Sequence, residues 1–218
     1  MDIIDSKLML LRRALSRITG ESIQAGGDSL GNLRVALGNA EHAELGINRK
    51  VYVANALAGT ALAPKASPPT TAPSWVLWNG DADRTLIMLS CGMVSASGTL
   101  GLGMAMMGGV TIQEQLDDTM AAYASSVVKG ANGQSGDANC RVVGGATILG
   151  TPAYDVLESR DQVSAVSVGS GLRADLKGAF VVPPKFGFCL FILAPVGTTA
   201  LFWPTFRFAS VLVDLAEG

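Results

Sequence analysis

Residues 186–206 read FGFCLFILAPVGTTALFWPTF, a stretch of 21 residues without a charged side chain. Its length would suffice for a membrane-spanning helix. However, Pro195, Gly197 and Pro204 interrupt it, and such turn-forming residues separate short apolar runs. We therefore interpret this stretch as two buried strands joined by a turn, and we expect no membrane span.

A second uncharged stretch covers residues 85–113, where six glycines divide the apolar runs. From Arg141 onward, short apolar runs alternate with Gly or Pro turns about every ten residues. This punctuation predicts a mainly β protein, an antiparallel β-sandwich whose most economical form is a jelly roll. The predicted strands include 33–37, 51–54, 75–78, 86–89, 142–143, 146–149, 163–168, 180–182, 186–193, 201–203 and 206–215.

A tight turn is indicated between two of these strands. The dipeptide Asn79-Gly80 tolerates the positive φ that such turns require, and three charged residues follow it. We therefore predict that strands 75–78 and 86–89 form a hairpin.

One internal helix is predicted at residues 111–129. Apolar side chains recur there at helical spacing, Thr111 and Glu114 fit a capping box, and Gly130 would end the helix. Residues 130–139 have the composition of a loop.

The N-terminal segment also has the period of a helix. Over residues 3–19 the apolar side chains are spaced by four, three, four and three residues, and Gly20 follows as a stop. So short a helix must bury its stripe, either against its own domain or by self-association about a symmetry axis. Both alternatives stay open. The stripe consists of Ile4, Leu8, Leu11, Leu15 and Ile18.

Two regions follow from this pattern. Residues 1–30 are predicted to form a helical arm with a Gly-rich link, and residues 31–218 the β-sandwich domain. Within the sandwich, the Pro/Thr-rich segment 63–74 is predicted to be an extended strap, because its prolines favour an extended backbone.

The composition bears on the partners of the chain. Only 16% of the residues are charged while 49% are hydrophobic, and the mean hydropathy is +0.36. A monomer with so little charge would expose much apolar surface, so we predict a homo-oligomer, with a trimer favoured. The net charge of −2 and the absence of basic runs argue against nucleic acid as a partner.

The sequence offers little for catalysis. His42 is the single histidine, and the chain has neither a G-x-S-x-G motif nor a phosphate-binding loop. In each of the acidic pairs Asp81/Asp83 and Asp117/Asp118, one member is interpreted as a turn or helix-surface residue, and neither pair is expected to be catalytic. Cys91, Cys140 and Cys189 lie far apart in the sequence, so we expect three buried thiols rather than disulfides or a metal site. We predict no enzymatic activity, no cofactor and no metal.

The three tryptophans, Trp75, Trp78 and Trp203, could form a stacking platform for a sugar. Tryptophan on a strand more often lies in a core or an interface. Together with the N-terminal stripe, these three residues are our candidates for the oligomer or attachment interface.

Two segments carry a resemblance to a known family. LWNGDADRTLIMLSCGMVSASGTLGLG at 77–103 and VVPPKFGFCLFILAPVGTTALFWPTFRFASVLVDLAE at 181–217 resemble small virion structural proteins of tailed bacteriophages that build trimeric jelly rolls. The resemblance covers about residues 30–218 and consists of strand and turn patterns.

The resemblance implies a non-enzymatic capsid decoration or cement protein, a head fibre or a tail part. Such a protein would be trimeric, attached to a phage capsid or tail protein, and located in the virion after assembly in the bacterial host cytoplasm. The alternative is a receptor- or glycan-binding jelly roll of a head or tail fibre, which would use exposed aromatic residues and the loop 130–139.

Overall fold

The structure is a computed structural model of the 218-residue chain. It describes residues 24–27, 33–36, 50–67, 70–99, 103–124, 127–131, 139–160, 171–195 and 198–212. The chain divides into two compact units, Met1–Asn48 and Arg49–Gly218. The predicted N-terminal helix, the strand 163–168 and His42 lie outside the described residues.

The described part of the first unit is a pair of strands. β1 (Gln24–Gly27) and β2 (Leu33–Ala36) are antiparallel, with Gln24 opposite Ala36. The predicted Gly-rich link is therefore partly a strand. The predicted strand at 33–37 is present, but it pairs with β1 in a two-stranded sheet of its own. The unit boundary accordingly falls after Asn48 instead of after residue 30.

The second unit is an antiparallel β-sandwich, which confirms the predicted fold class. Its elements are β3 (Val51–Asn55), β4 (Trp75–Asn79), β5 (Arg84–Ser97), β6 (Met104–Val110), α1 (Asp117–Ala122), β7 (Val127–Gly130), β8 (Cys140–Gly144), β9 (Asp155–Arg160), β10 (Gly171–Asp175), β11 (Val181–Val182), β12 (Gly187–Leu193) and β13 (Leu201–Leu212).

These strands form two sheets in the described part of the chain. The large sheet has the order β10-β5-β13-β3-β7, and β11 also pairs with β5. The small sheet has the order β8-β4-β12-β6-β9. The chain changes sheet at most connections, so neighbours in sequence are rarely neighbours in a sheet. No helix among the described residues is long and apolar enough to cross a membrane.

The core lies between the two sheets. Phe188 of the small sheet contacts Phe206 of the large sheet edge-on, with ring centroids 6.3 Å apart. Both are fully buried. Within the large sheet, Tyr52 of β3 stacks on Phe208 of β13, with ring centroids 5.7 Å apart. Burying one such side chain stabilises the fold by about 1.5–3 kcal/mol, so the Phe188–Phe206 contact contributes to the cohesion between the two sheets.

The small sheet is also buried on its outer face. A second apolar cluster covers Val76 and Trp78 of β4. It contains Met120 of α1 and also Ala146 and Ile148 of the loop after β8. Burial on both faces explains why β4 is a continuous apolar run instead of an alternating one.

The predicted hairpin at Asn79-Gly80 is wrong. β4 pairs with β8 and β12 in the small sheet, whereas β5 pairs with β10, β11 and β13 in the large sheet. The chain therefore crosses between the sheets here. Asn79 is fully buried, and its side-chain amide donates to the backbone carbonyls of Arg84, Val182 and Pro183 at 2.7–3.1 Å.

The predicted helix at 111–129 is mostly wrong, because α1 has only six residues. Thr111 does not cap it. Its hydroxyl accepts a hydrogen bond from the backbone N–H of Gly187, and the N–H of Gln115 donates to the carbonyl of Lys185. Tertiary hydrogen bonds thus take residues 111–116 out of the helix, and 127–130 form β7 beside β3.

Four further strand assignments change. Strands 201–203 and 206–215 are one strand, β13, which runs through Pro204 because its pairing with β3 begins only at Thr205. Residues 146–149 form a loop whose Ala146 and Ile148 are buried. β9 and β10 were not predicted. β9 is largely exposed and lacks a clear apolar pattern, and β10 buries only Leu172 and Ala174, which is too short an alternation to indicate a strand.

We predict that Asn79→Ala lowers the free energy of unfolding by about 2–4 kcal/mol, because the carbonyls of Arg84, Val182 and Pro183 lose their donor in a buried position. Urea unfolding followed by circular dichroism measures this. The matched control is Asn55→Ala on β3, where the residue is half-buried and the loss should stay below about 1 kcal/mol. Equal losses for both variants would contradict the role assigned to Asn79.

Candidate functional site

The main polar cluster lies at the corner where the chain passes from β4 to β5 and from β11 to β12. Between β11 and β12, the N–H of Phe186 donates to the carbonyl of Pro183 at 3.2 Å, which closes a tight turn with Pro184 and Lys185 at its centre. Lys185 has φ of +64°, a value at which a type II turn usually carries glycine. A lysine in this conformation costs about 1–2 kcal/mol.

The side chain of Lys185 ties this turn to two other segments. Its Nζ donates to the carbonyl of Gly80 at 2.9 Å and to Oδ2 of Asp117 at 3.0 Å. Its Nζ also lies 5.6 Å from the ring centroid of Trp78, within the range of a cation–π interaction. The carbonyl of Lys185 in turn accepts from the indole N–H of Trp78.

A cavity of about 320 Å³ opens beside this cluster, between α1 and the beginning of β8. Trp78 lies at its base. Arg141 stands directly opposite Trp78 in the β4–β8 pairing, and its guanidinium carbon lies 5.6 Å from the indole centroid. The lining residues are Trp78, Gly80, Asp117, Asp118, Ala121, Asn139 and Arg141. The cavity therefore offers charges of both signs to a small polar ligand.

Asp81 is not the solvated turn residue that the sequence suggested. It is 6% exposed and its carboxylate accepts a hydrogen bond from the side-chain amide of Asn139. Its N–H donates to Oδ1 of Asn79. Asp83, by contrast, is exposed, as expected for a turn carboxylate. The first acidic pair thus divides into one structural and one surface residue.

The three tryptophans occupy different environments. Trp75 is 1% exposed in the core between the sheets, and Trp78 is 3% exposed beneath α1. Such buried side chains offer almost no contact area to a second protein, so the interface assignment is wrong for these two residues. Trp203 is half-buried, and its interface role stays a prediction.

Trp203 borders a shallow groove on the outer face of the large sheet. Its indole N–H donates to the carbonyl of Ala56 at 2.8 Å, which fixes the ring. The groove has a volume of about 260 Å³ and runs over Gly92 between Arg173 and Thr205. The missing side chain at Gly92 leaves this space open.

An apolar corner is formed by the exposed side chains of Ile112, Leu116 and Leu149, which are 61%, 62% and 41% exposed. Gln115 holds the two segments together, because its Oε1 accepts from the N–H of Leu149. Ile112 lies against Gly150, whose missing Cβ makes room for it. Because these exposed aliphatic side chains occur close together in the fold, the corner is a candidate for a protein contact.

All three cysteines are buried and free, as predicted. Burial raises the pKa of the Cys91 thiol from 9.0 to about 12. The pKa of Cys189 is also raised to about 12, mainly by burial, although a hydrogen bond with Tyr154 lowers it in part. Neither thiol is therefore a nucleophile at neutral pH.

Lys185 and Arg141 were missed in the sequence. The Pro-Pro dipeptide before Lys185 indicates a turn, and Arg141 is a charged residue within an otherwise apolar strand. Neither local pattern indicates which residues these two side chains contact. In the part of the chain that the structure describes, no three His, Cys, Asp or Glu side chains are grouped to hold a metal ion. The chain matches no protein-family model and no curated protein.

We predict that Lys185→Ala loses about 1–2 kcal/mol of stability, because the hydrogen bonds of Nζ to Gly80 and Asp117 disappear. Lys185→Gly should be more stable than Lys185→Ala by about 1 kcal/mol, since glycine adopts the positive φ without strain.

Urea unfolding of both variants measures these differences. Lys177 provides the control, because it also has a positive φ, of +52°. Lys177→Gly should likewise be more stable than Lys177→Ala. If Lys185→Ala is as stable as the unchanged protein, the contacts of Nζ do not stabilise the corner.

The raised thiol pKa values predict alkaline destabilisation. The unfolded chain ionises its thiols near pH 9.0, whereas folded Cys91 and Cys189 stay protonated to about pH 12. The two protonated thiols thus make their full contribution to the free energy of unfolding below pH 9. This contribution is lost as the pH rises toward 12, by about 1.4 kcal/mol per pH unit for each thiol. Urea midpoints from pH 7 to 11 measure this loss. The C91A/C189A variant should show a shallower decline above pH 9, and an unchanged slope would contradict the assignment.

Proposed function

We propose that the protein is a non-enzymatic structural protein of a tailed-bacteriophage particle, a capsid decoration or cement protein that assembles as a homotrimer. The observation that carries this proposal is the strand order. Four neighbouring strands of the large sheet have the spatial order β10-β5-β13-β3, and four of the small sheet have the order β4-β12-β6-β9. Along the chain, strands of the one set are interleaved with strands of the other. Two interleaved four-stranded sheets are the pattern of a jelly roll, a fold used by viral capsid proteins and lectins.

β7 and β8 extend this pattern without disturbing it. After β6 the chain forms α1 and then β7 and β8. β7 joins the large sheet beside β3, and β8 joins the small sheet beside β4. The insertion therefore forms one side of the sandwich, and it carries α1 and part of the apolar corner. An inserted segment of this kind can specialise a common fold for attachment.

The surface also supports assembly with other protein subunits. The apolar corner of Ile112, Leu116 and Leu149 lies on a chain with only 16% charged residues. Contact with a second copy, or with a phage capsid or tail protein, would cover such side chains. The attachment role of the N-terminal stripe stays a prediction, and so does the location in the virion.

A second candidate function is a receptor- or glycan-binding module. The cavity lined by Trp78, Asp117 and Arg141 favours it, because it holds polar groups of both signs in a fixed arrangement. The two functions are compatible, since a jelly roll can assemble through one surface and bind a ligand at another.

We expect the purified protein to be a trimer of about 67.5 kDa, three copies of the 22.5 kDa chain. Light scattering coupled to size exclusion at micromolar concentration measures this mass. The double variant I112D/L116D should shift the mass toward that of the monomer, because carboxylates at the corner would have to be desolvated in the interface.

The matched control is Val181→Asp, at an aliphatic residue that is 50% exposed on β11 of the large sheet. It should remain trimeric. A monomeric unchanged protein would refute the proposed assembly. A trimer that survives in I112D/L116D would show that subunits meet at another surface.

A further inference from the structure

We propose that the cavity between α1 and β8 binds a neutral sugar residue. The sequence suggested a sugar only as a stacking partner of the tryptophans, Trp78 among them. This inference rests on the second candidate function above and names the ligand class of its cavity, whereas the structural role in a trimer does not require a ligand. The inference rests on three properties of the cavity: the balance of its charges, the rigidity of its lining groups and its size.

The charges of the cavity balance one another. Asp117 and Asp118 of α1 form one wall, and Arg141 of β8 belongs to the other. Lys185 approaches from the side of β12 and pairs with Asp117. Lys185 does not itself line the cavity, but its ion pair with Asp117 balances that carboxylate. The carboxylate of Asp118 and the guanidinium of Arg141 are then the remaining charges of the lining, and they balance each other.

This balance discriminates among ligand classes. An anion placed near Arg141 would also face the carboxylates of α1, and a cation placed near Asp118 would also face Arg141. A hydroxyl group both donates and accepts hydrogen bonds. A neutral ligand with several hydroxyl groups therefore satisfies both walls without repulsion, and a sugar ring carries such groups on all sides.

The lining groups are held in place before a ligand arrives. Arg141 lies over the buried indole of Trp78, and Lys185 is fixed by hydrogen bonds to Gly80 and Asp117. The side-chain amide of Asn139 donates to the buried carboxylate of Asp81. Binding therefore orders few side chains, which reduces its entropic cost.

The size of the cavity limits the ligand. Its volume of about 320 Å³ is at the lower end of the range of roughly 300–1,000 Å³ for small-molecule sites. One sugar ring fits this space better than an extended oligosaccharide. Because Trp78 is only 3% exposed, we assign recognition to hydrogen bonds with the walls instead of stacking on the indole.

The test is a titration of the full-length protein with glucose, galactose and N-acetylglucosamine, each followed by saturation-transfer and ¹⁵N-resolved NMR up to roughly 50 mM. We expect at least one neutral sugar to bind saturably with a Kd on the order of 1 mM, the affinity of a weak single-ring site. Glucuronate and glucosamine are the charged comparators, and they should bind at least tenfold more weakly.

Variants locate the binding. Asp118→Asn and Arg141→Ala should each weaken the affinity for the neutral sugar at least tenfold, and Asp118 is exposed, so its replacement leaves the fold intact. The matched control is Asp155→Asn on β9, at the opposite edge of the small sheet, and it should bind like the unchanged protein.

Three results would overturn the inference: no saturable binding of any of the three neutral sugars, tighter binding of a charged comparator, or binding that the Asp118 and Arg141 variants leave unchanged. None of these results bears on the trimer, whose mass is measured separately. Failure of the sugar site and failure of the proposed structural function are therefore distinguishable.

Discussion

At the end of β4 the side-chain amide of Asn79 donates to carbonyls of Arg84, Val182 and Pro183, and these hydrogen bonds join the crossover from β4 to β5 with the crossover from β11 to β12. A chain that leaves one sheet for another gives up its ladder partners, and buried carbonyls without donors are costly. The backbone of Asn79 adds to the corner, since its N–H donates to Phe186 and its carbonyl accepts from Lys185. One buried residue thus joins β4–β5 to β11–β12, which lie more than 100 positions apart in the chain.

The candidate site follows from this corner. Because Asn79 fixes the end of β4, Gly80 comes so close to Trp78 and to the carbonyl of Asn139 that a Cβ would collide with both. The same corner forces the turn at Lys185 and directs its Nζ toward α1. The strained lysine is therefore a consequence of the crossover, and its side chain provides contacts that offset part of the strain.

The sequence predicted the sandwich because burial leaves a local signature. β4, β5 and β12 are almost entirely buried, and such strands appear as apolar runs bounded by turn residues. The partner of each strand leaves no such signature. Asn79-Gly80 has the local pattern of a hairpin, yet the acceptors of the Asn79 amide come partly from residues 182 and 183. The helical spacing of apolar residues at 111–129 failed for the same reason, because residues 111 and 115 form hydrogen bonds with distant residues 187 and 185 instead of helical ones.

The polar cavity and the apolar corner share one segment, and this links their functions. Leu116 of the corner is followed directly by Asp117 of the cavity wall. The N–H of Gln115, which precedes Leu116, donates to the carbonyl of Lys185. A subunit that covered Leu116 would stand next to the rim of the cavity. It would change the solvent exposure of Asp117 and so the strength of its interactions with Lys185 and with a bound ligand. If assembly uses this corner, sugar affinity and subunit affinity must be coupled, and each would alter the other by the same factor.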